Sequence, residues 1–149
     1  MIMISHRGNM YGPDPQNENK PEYIIDALRN GFDVEIDVWS IDNDFYLGHD
    51  KPQYKVDWKF LTNPAFWCHA KDVDTFYKLL KTGSHCFFHQ NDNATLTSKG
   101  FIWTYPGKIL TPMSICVMPE INNYSDDLSK AKGVCSDFIM EIKSGNFRK

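Results

Sequence analysis

Apolar residues recur along the chain in short runs separated by polar turn signals, and the spacing inside each run predicts its element. Ile2, Met3 and Ile4 open a strand over 2–5 that runs straight into His6-Arg7-Gly8. A polar loop over 10–20 carries two prolines and two asparagines. Pro21 then suits the first position of a helix over 22–29, with Ile24, Ile25 and Leu28 as its apolar stripe and Gly31 as its cap. A second strand is expected over 32–39, a turn over 42–44, and a short returning strand over 45–47 before Gly48-His49-Asp50. Further strands are expected over 65–69, 85–89, 101–104, 114–118 and 133–138. A helix over 73–81 should turn Phe76, Leu79 and Leu80 inward, and short helical turns are expected near 94–98 and 124–132. Strands alternating with helices or loops favour a parallel sheet covered by helices. No repeat or linker divides the 149 residues, so one domain over 1–149 is expected.

The second strand carries the most chemistry. Side chains alternate along a strand, so Val34, Ile36 and Val38 share one face and Asp33, Glu35 and Asp37 the other. Carboxylates stacked on one face repel one another, and burial would raise their pKa values. A divalent cation removes that cost, and hard oxygen ligands suit Mg²⁺, Ca²⁺ or Mn²⁺. A half-exposed strand with a solvated acidic face accounts for the same spacing. His6 and Arg7 follow the first strand directly, where a barrel enzyme places catalytic groups. An Arg fork grips phosphate and a His moves protons near neutral pH, although a structural His beside a surface Arg explains the pair as well. His49 lies after a tight reversal that returns it toward the strand end bearing Asp37; its plainer role is to cap a turn.

Composition narrows the choice of ligand. The chain is 42% hydrophobic and 14% aromatic, enough for a core, and its formal charge is −3. That charge leaves no basic footprint for nucleic acid or an anionic membrane, so any phosphate must be held by a few residues or a metal. No stretch approaches a membrane-spanning length and the start lacks a basic leader, so a cytoplasmic protein without integral membrane association is expected. On that expectation the sequons at Asn93 and Asn123 are accidental. Cys68, Cys86, Cys116 and Cys135 are far apart, form no CxxC pair and sit in apolar runs, so they read as buried reduced thiols.

Taken in order, His6-Arg7-Gly8, Glu18-Asn19, Ala27 to Gly31, Glu35-x-Asp37 and Gly48-His49-Asp50 resemble the glycerophosphodiester phosphodiesterase family. The wider superfamily of that resemblance includes phosphatidylinositol-specific phospholipase C. The likeness is close over the opening third of the chain. It implies an α/β fold, a compact TIM-like (β/α) barrel. Because such barrels usually take roughly 250 residues, helices here must be shortened or missing. It also implies a divalent metal held by Glu35 and Asp37, with His6 and His49 as the proton-transfer pair and Arg7 on a phosphate oxygen. Glu18 and Asn19 would order the loop around the phosphate. In that chemistry a hydroxyl next to the phosphate attacks in line, giving a cyclic phosphate that water then opens.

Later segments depart from the family. Its third strand usually carries Glu-x-Lys, whereas this chain has His69-Ala-Lys71, so Lys71 matches on phosphate and His69 stands in for a metal-binding acid. Imidazole suits Mn²⁺ or Zn²⁺ better than Mg²⁺ or Ca²⁺. The closing run, 133–137, ends on Asp137 as the family's last strand does. His89, Glu120 and Asp50 are strand-end or turn residues that could line the site or serve as rim residues. Trp103 and Tyr105 are candidates either for substrate stacking or for the core. The expected activity is hydrolysis of a small soluble phosphodiester. A cyclising lyase and a non-catalytic phosphate-binding module are the alternatives, and bare flanks would favour a homodimer.

Overall fold

The computed structural model describes residues 1–121 and 127–147. Among these residues, ten strands form one strongly curled sheet. Strands β1 (Ile2–His6), β2 (Asp33–Ile41), β5 (Phe66–Ala70), β6 (Cys86–Phe88), β8 (Ile102–Thr104), β9 (Ser114–Val117) and β10 (Gly133–Ser136) run parallel, side by side in the order β6-β5-β2-β1-β10-β9-β8. Three antiparallel strands are added: β3 (Asp44–Leu47) on the late half of β2, β4 (Tyr54–Val56) on β3, and β7 (Ala94–Leu96) on β8. The curl brings the two edges together, where Ser98 N donates to Cys86 O at 2.8 Å and Thr95 Oγ1 to Phe88 O at 3.0 Å. The fold is thus mixed α/β around a curled sheet with few helices.

Alternation along the strands builds two apolar layers. On the convex side Val34, Ile36, Val38, Cys68 and Val134 pack with Ile24, Leu79 and Ile139. Those last three come from helices α1 (Pro21–Arg29), α3 (Val73–Thr82) and α4 (Ile139–Ser144), while a shorter α2 (Trp58–Leu61) precedes β5. On the concave side Ile4, Trp67, Phe87, Trp103, Ile115 and Cys135 interdigitate as a largely aromatic floor. Both layers are apolar, and each of their fully buried large side chains contributes about 1.5–3 kcal/mol.

Local signals explain the helices. Pro21 starts α1, and Gly31 takes the left-handed conformation (φ 83°) just past its end. Asp72 caps α3 by accepting from Thr75 N, and Gly83 closes it with φ 77°. The buried stripe of α3 is Thr75 and Leu79 with Phe76 beside them, so Leu80, expected inward, is instead 45% exposed. One residue is about 100° around a helix, which carries Leu80 off the face that Leu79 buries. Residues 94–98 also differ from expectation. They contribute strand β7 rather than a helical turn, because Thr95 and its neighbours pair across a hairpin with β8. Near 124–132, a 3₁₀ turn forms at Leu128–Lys130; Asn123 and positions 124–126 lie outside the described residues. Strand β4 and helices α2 and α4 complete the elements that the periodicity did not indicate.

The four cysteines are buried thiols outside any disulfide, as expected. No helix among the described residues is long and apolar enough to cross a membrane.

Two expectations about stability follow. A Cβ on Gly133 would lie 2.8 Å from both Cβ and O of Ile2 and 2.9 Å from Ile115 Cδ1, where β10 crosses between its neighbours. Gly133→Ala should therefore cost about 1–3 kcal/mol, read as a lower urea midpoint. His85 is buried under Trp67 (4.2 Å between rings) with Nε2 against Thr97 Oγ1 at 2.9 Å. Burial, then the charge of Lys99, pushes its pKa down to about 4 from 6.5. The unfolded chain binds this proton more readily, so the His85 contribution is complete above pH 6.5 and is lost as pH falls toward 4. Urea titrations across that window should show a shallower decline for His85→Gln than for the parent chain.

Candidate active site

The parallel strands end on one rim of the curled sheet, and there the polar residues of the concave face gather. Register aligns them: His6 pairs with Glu35, and Asp37 with His69. Asp33, lower on the same face of β2, accepts from Trp67 Nε1 at 2.9 Å and stays away from the rim. Above the aromatic floor opens a cavity of about 880 Å³. Its wall includes His6, Arg7, Glu35, His69 and Lys71.

The carboxylates of Glu35 and Asp37 are 2% and 0% exposed, yet their surroundings differ. Asp37 Oδ1 accepts from Lys71 Nζ and faces His69 Nδ1, both at 3.1 Å. Its Oδ2 accepts from Asn19 Nδ2 at 2.9 Å and lies 3.0 Å from Arg7 Nε, although that N–H is not directed at a hydrogen-bond acceptor. Burial alone would raise the Asp37 pKa, but the His69 hydrogen bond and the charges of Arg7 and Lys71 overcome it and hold the carboxyl well below the usual range. Glu35 is pushed the other way, by burial first and by the charge of Asp37 second. One of its oxygens, Oε2, is buried without a hydrogen-bond partner among the described residues.

His6 donates or accepts through Nδ1 at 2.7 Å from Asp137 Oδ1, and its Nε2 is 3.8 Å from Glu35 Oε2. Burial works against the imidazolium, but the Asp137 hydrogen bond and the Glu35 charge leave the pKa of His6 above its ordinary value. Asp137 is lowered, burial notwithstanding, by that same contact. A buried Asn9 joins the two halves of the rim. Its Nδ2 donates to Asp137 Oδ1 at 2.8 Å and to Glu18 Oε1 at 2.9 Å. Glu18 in turn accepts from Arg7 Nη1 at 3.1 Å.

Backbone strain concentrates here. Arg7 (φ 56°), Asn19 (φ 63°) and Met118 (φ 48°) adopt the left-handed conformation, and all three line the cavity. Non-glycine residues persist there only when their surroundings over-determine them. Arg7 N donates to Glu35 O at 2.9 Å and Asn19 N to Arg7 O at 3.0 Å, which fixes both side chains toward Asp37. Gly8 (φ 93°) permits the turn, since a Cβ there would meet Tyr23 Cδ1 at 2.6 Å.

The β2–β3 hairpin returns as expected: Gly48 N donates to Asp37 O at 3.2 Å, and His49 follows on the cavity wall. His49 is half exposed, with Nδ1 2.7 Å from Asp50 Oδ1. Lys51 and Gln53 join the wall from the same loop, and sequence reasoning singled out neither. Asn9 was likewise passed over; its only signal is a polar residue placed directly after His-Arg-Gly. His89 and Trp103 line the cavity beside Tyr105. Glu120 lies behind the wall, accepting from Ser136 Oγ at 3.0 Å and Asp137 N at 2.9 Å, and so supports Asp137 from below.

Glu35, Asp37 and His69 each offer one ligand atom, and these atoms lie within 4.8 Å of one another. The unpaired Glu35 oxygen and the mixed oxygen–nitrogen donor set fit a divalent cation. No family model matches the chain, and no curated protein or solved structure matches it either.

Because an ionised Glu35 is disfavoured by its surroundings, Glu35→Gln should raise the thermal midpoint in the presence of a chelator. The same variant should lose the upward shift that millimolar Mn²⁺ gives the parent chain. Differential scanning calorimetry with and without Mn²⁺ reads both.

Proposed function

We propose that this chain is a metal-dependent phosphodiesterase acting on a small phosphodiester, built on a pared-down version of the (β/α) barrel. The observation that carries the reading is the convergence of the buried Glu35, two cationic side chains and a carboxylate-held histidine on one cavity, with the fully buried Asp37 behind them paired to both cations. Paired acids alone would suit many roles. Arg7 and Lys71 beside them add the charge that a phosphate needs, and His6 adds a base.

In this reading Glu35, Asp37 and His69 would hold a divalent metal, which would supply Lewis-acid polarisation of a phosphate oxygen. Arg7 and Lys71 bind the remaining phosphate oxygens, with Glu18 and Asn19 fixing the Arg7 loop. Asp137 accepts the Nδ1 proton of His6, leaving Nε2 free to take the proton of the attacking hydroxyl. The Asp137 contact and the Glu35 charge that raise the His6 pKa make that imidazole a stronger base. His49, on the cavity wall and tethered to Asp50, donates a proton to the departing alcohol. The product is a cyclic phosphate, and water entering by the reverse proton transfers opens it to the monoester.

A second reading, a phosphate-binding module without turnover, draws on Asp37. Both of its oxygens already carry partners, so a metal must displace Lys71 or share with it. A cytoplasmic setting accompanies the proposal and agrees with four buried cysteines that form no disulfide. A homodimer would cover the exposed Leu96, Ile109 and Met113.

Hydrolysis of glycerophosphocholine, whose free hydroxyl adjoins the phosphate as the in-line attack requires, with Mg²⁺, Ca²⁺, Mn²⁺ and Zn²⁺ in parallel tests the proposal. Turnover should require a divalent ion, with Mn²⁺ or Zn²⁺ ranking high if His69 is a ligand. His6→Ala, His49→Ala and Glu35→Ala should each lose at least about a hundredfold in rate with the fold intact by circular dichroism. Metal-independent turnover, or full rates in these variants, contradicts the proposal; phosphate binding without turnover selects the binding module.

A further inference from the structure

Resting on the reading of His49 as the general acid, we infer that Trp39 is the positioning residue that fixes it, by clamping the carbonyl just ahead of it. The two histidines assigned to proton transfer are held very differently. His6 Nδ1 meets Asp137, a buried carboxylate that Asn9 also holds. The side chain of His49 is 44% exposed, and that of its partner Asp50 is 89% exposed. A pair so open to solvent has little power to fix a ring. A proton donor must nonetheless come within hydrogen-bond reach of the leaving oxygen, so His49 needs an anchor through its backbone.

The late half of β2 supplies that anchor. Trp39 lies two residues beyond Asp37, on the same face of the strand, and pairs opposite Tyr46 of β3. Its indole Nε1, a group that can only donate, gives its hydrogen to Gly48 O at 2.6 Å. That oxygen belongs to the peptide bond through which the chain enters His49. Gly48 N donates in turn to Asp37 O at 3.2 Å, so both polar groups of Gly48 are tied to β2.

The loop beyond closes over the same point. Gly48 has φ 149°, and a Cβ there would collide with Lys51 O and crowd the Gln53 side chain. Gln53 N returns to Leu47 O at 2.9 Å, which completes the reversal. Asp37 thus serves twice, its carboxylate in the proposed metal set and its carbonyl under the acid. Packing alone would not call for an indole at position 39. A phenylalanine offers an apolar ring there without the N–H.

Two diesters with the same glycerol hydroxyl beside the phosphate and different leaving groups test the role. Glycerophosphocholine releases an alcohol that must be protonated as it departs, whereas glycerol p-nitrophenyl phosphate releases a phenolate that need not be. His49→Ala should lose at least about a hundredfold in kcat on the choline ester and less than about threefold on the nitrophenyl ester. Trp39→Phe should show the same selectivity in weaker form, about tenfold on the choline ester with KM nearly unaltered. Amide hydrogen exchange over 48–53 should quicken in Trp39→Phe while β2 and β5 keep their protection. Gly48→Ala displaces the same peptide and leaves the indole in place, so it should reproduce the selective loss and decides alone if Trp39→Phe does not fold. Equal losses on both esters, unchanged rates on both, or unchanged exchange in the loop overturns the assignment. So does turnover of the nitrophenyl ester alone by the parent chain, or a His49→Ala variant slowed alike on both esters. No turnover of either ester by the parent rejects the phosphodiesterase reading instead, and the exchange result then decides whether the clamp stands.

Discussion

Two carboxylates buried side by side on one strand dominate the energetics of this molecule. Glu35 and Asp37 are fixed on the same face of β2 by strand geometry, and the aromatic floor beneath them removes the solvent that would screen their repulsion. The surrounding residues answer unequally. Asp37 receives Arg7, Lys71, Asn19 and His69, whereas Glu35 keeps one oxygen without a hydrogen-bond partner among the described residues. Their pKa values are driven apart as a result, that of Asp37 downward by its cationic partners and that of Glu35 upward by burial and the neighbouring charge. Pairs of titratable groups separated in this way mark sites of chemistry more often than sites of pure structure.

The rest of the fold reads as what such a pair demands. Parallel pairing of β1, β2 and β5 brings His6, Asp37 and His69 to one rim, while α1 and α3 close the convex face. The strained Arg7 and Asn19 cannot relax without releasing Asp37, so the loop after β1 and the acid on β2 hold each other. Curling the sheet then carries β10 beside β1, and Asp137 reaches His6 from 131 residues away. Asn9 and Glu120 extend that contact to the loop and to the far strand. The polar network is one continuous object, and the concave apolar layer supplies its low dielectric.

Much of this was legible in the chain because local rules act where the residues are. Alternation over 33–38 gave the inner and outer faces of β2, and Pro21, Asp72 and Gly83 mark helix ends by their own backbone preferences. Glu35 and Asp37 within β2, and His6 and Arg7 at the end of β1, are legible from the same local rules, whereas Lys71 is legible only through the family resemblance. What escaped depends on distance. Residues 94–98 became a strand only because β8 offers a partner, and Leu80 is exposed because Thr75 and Leu79 define the stripe. Asn9, Lys51 and Gln53 sit in loops without periodicity, and their proximity to the rim is a product of the curl. The unpaired atoms of Glu35, His89 and Tyr105 are invisible to any sequence pattern, since being unpaired is a property of the packed surroundings.

The central claim is that Glu35, Asp37 and His69 act together as a cation site. Anomalous diffraction from crystals grown with Mn²⁺ tests it directly. The account predicts a peak at about 2.0–2.5 Å from ligand atoms of all three residues, with Glu35 using the oxygen that otherwise lacks a partner. A peak elsewhere, or none while Lys71 keeps its place on Asp37, would contradict it.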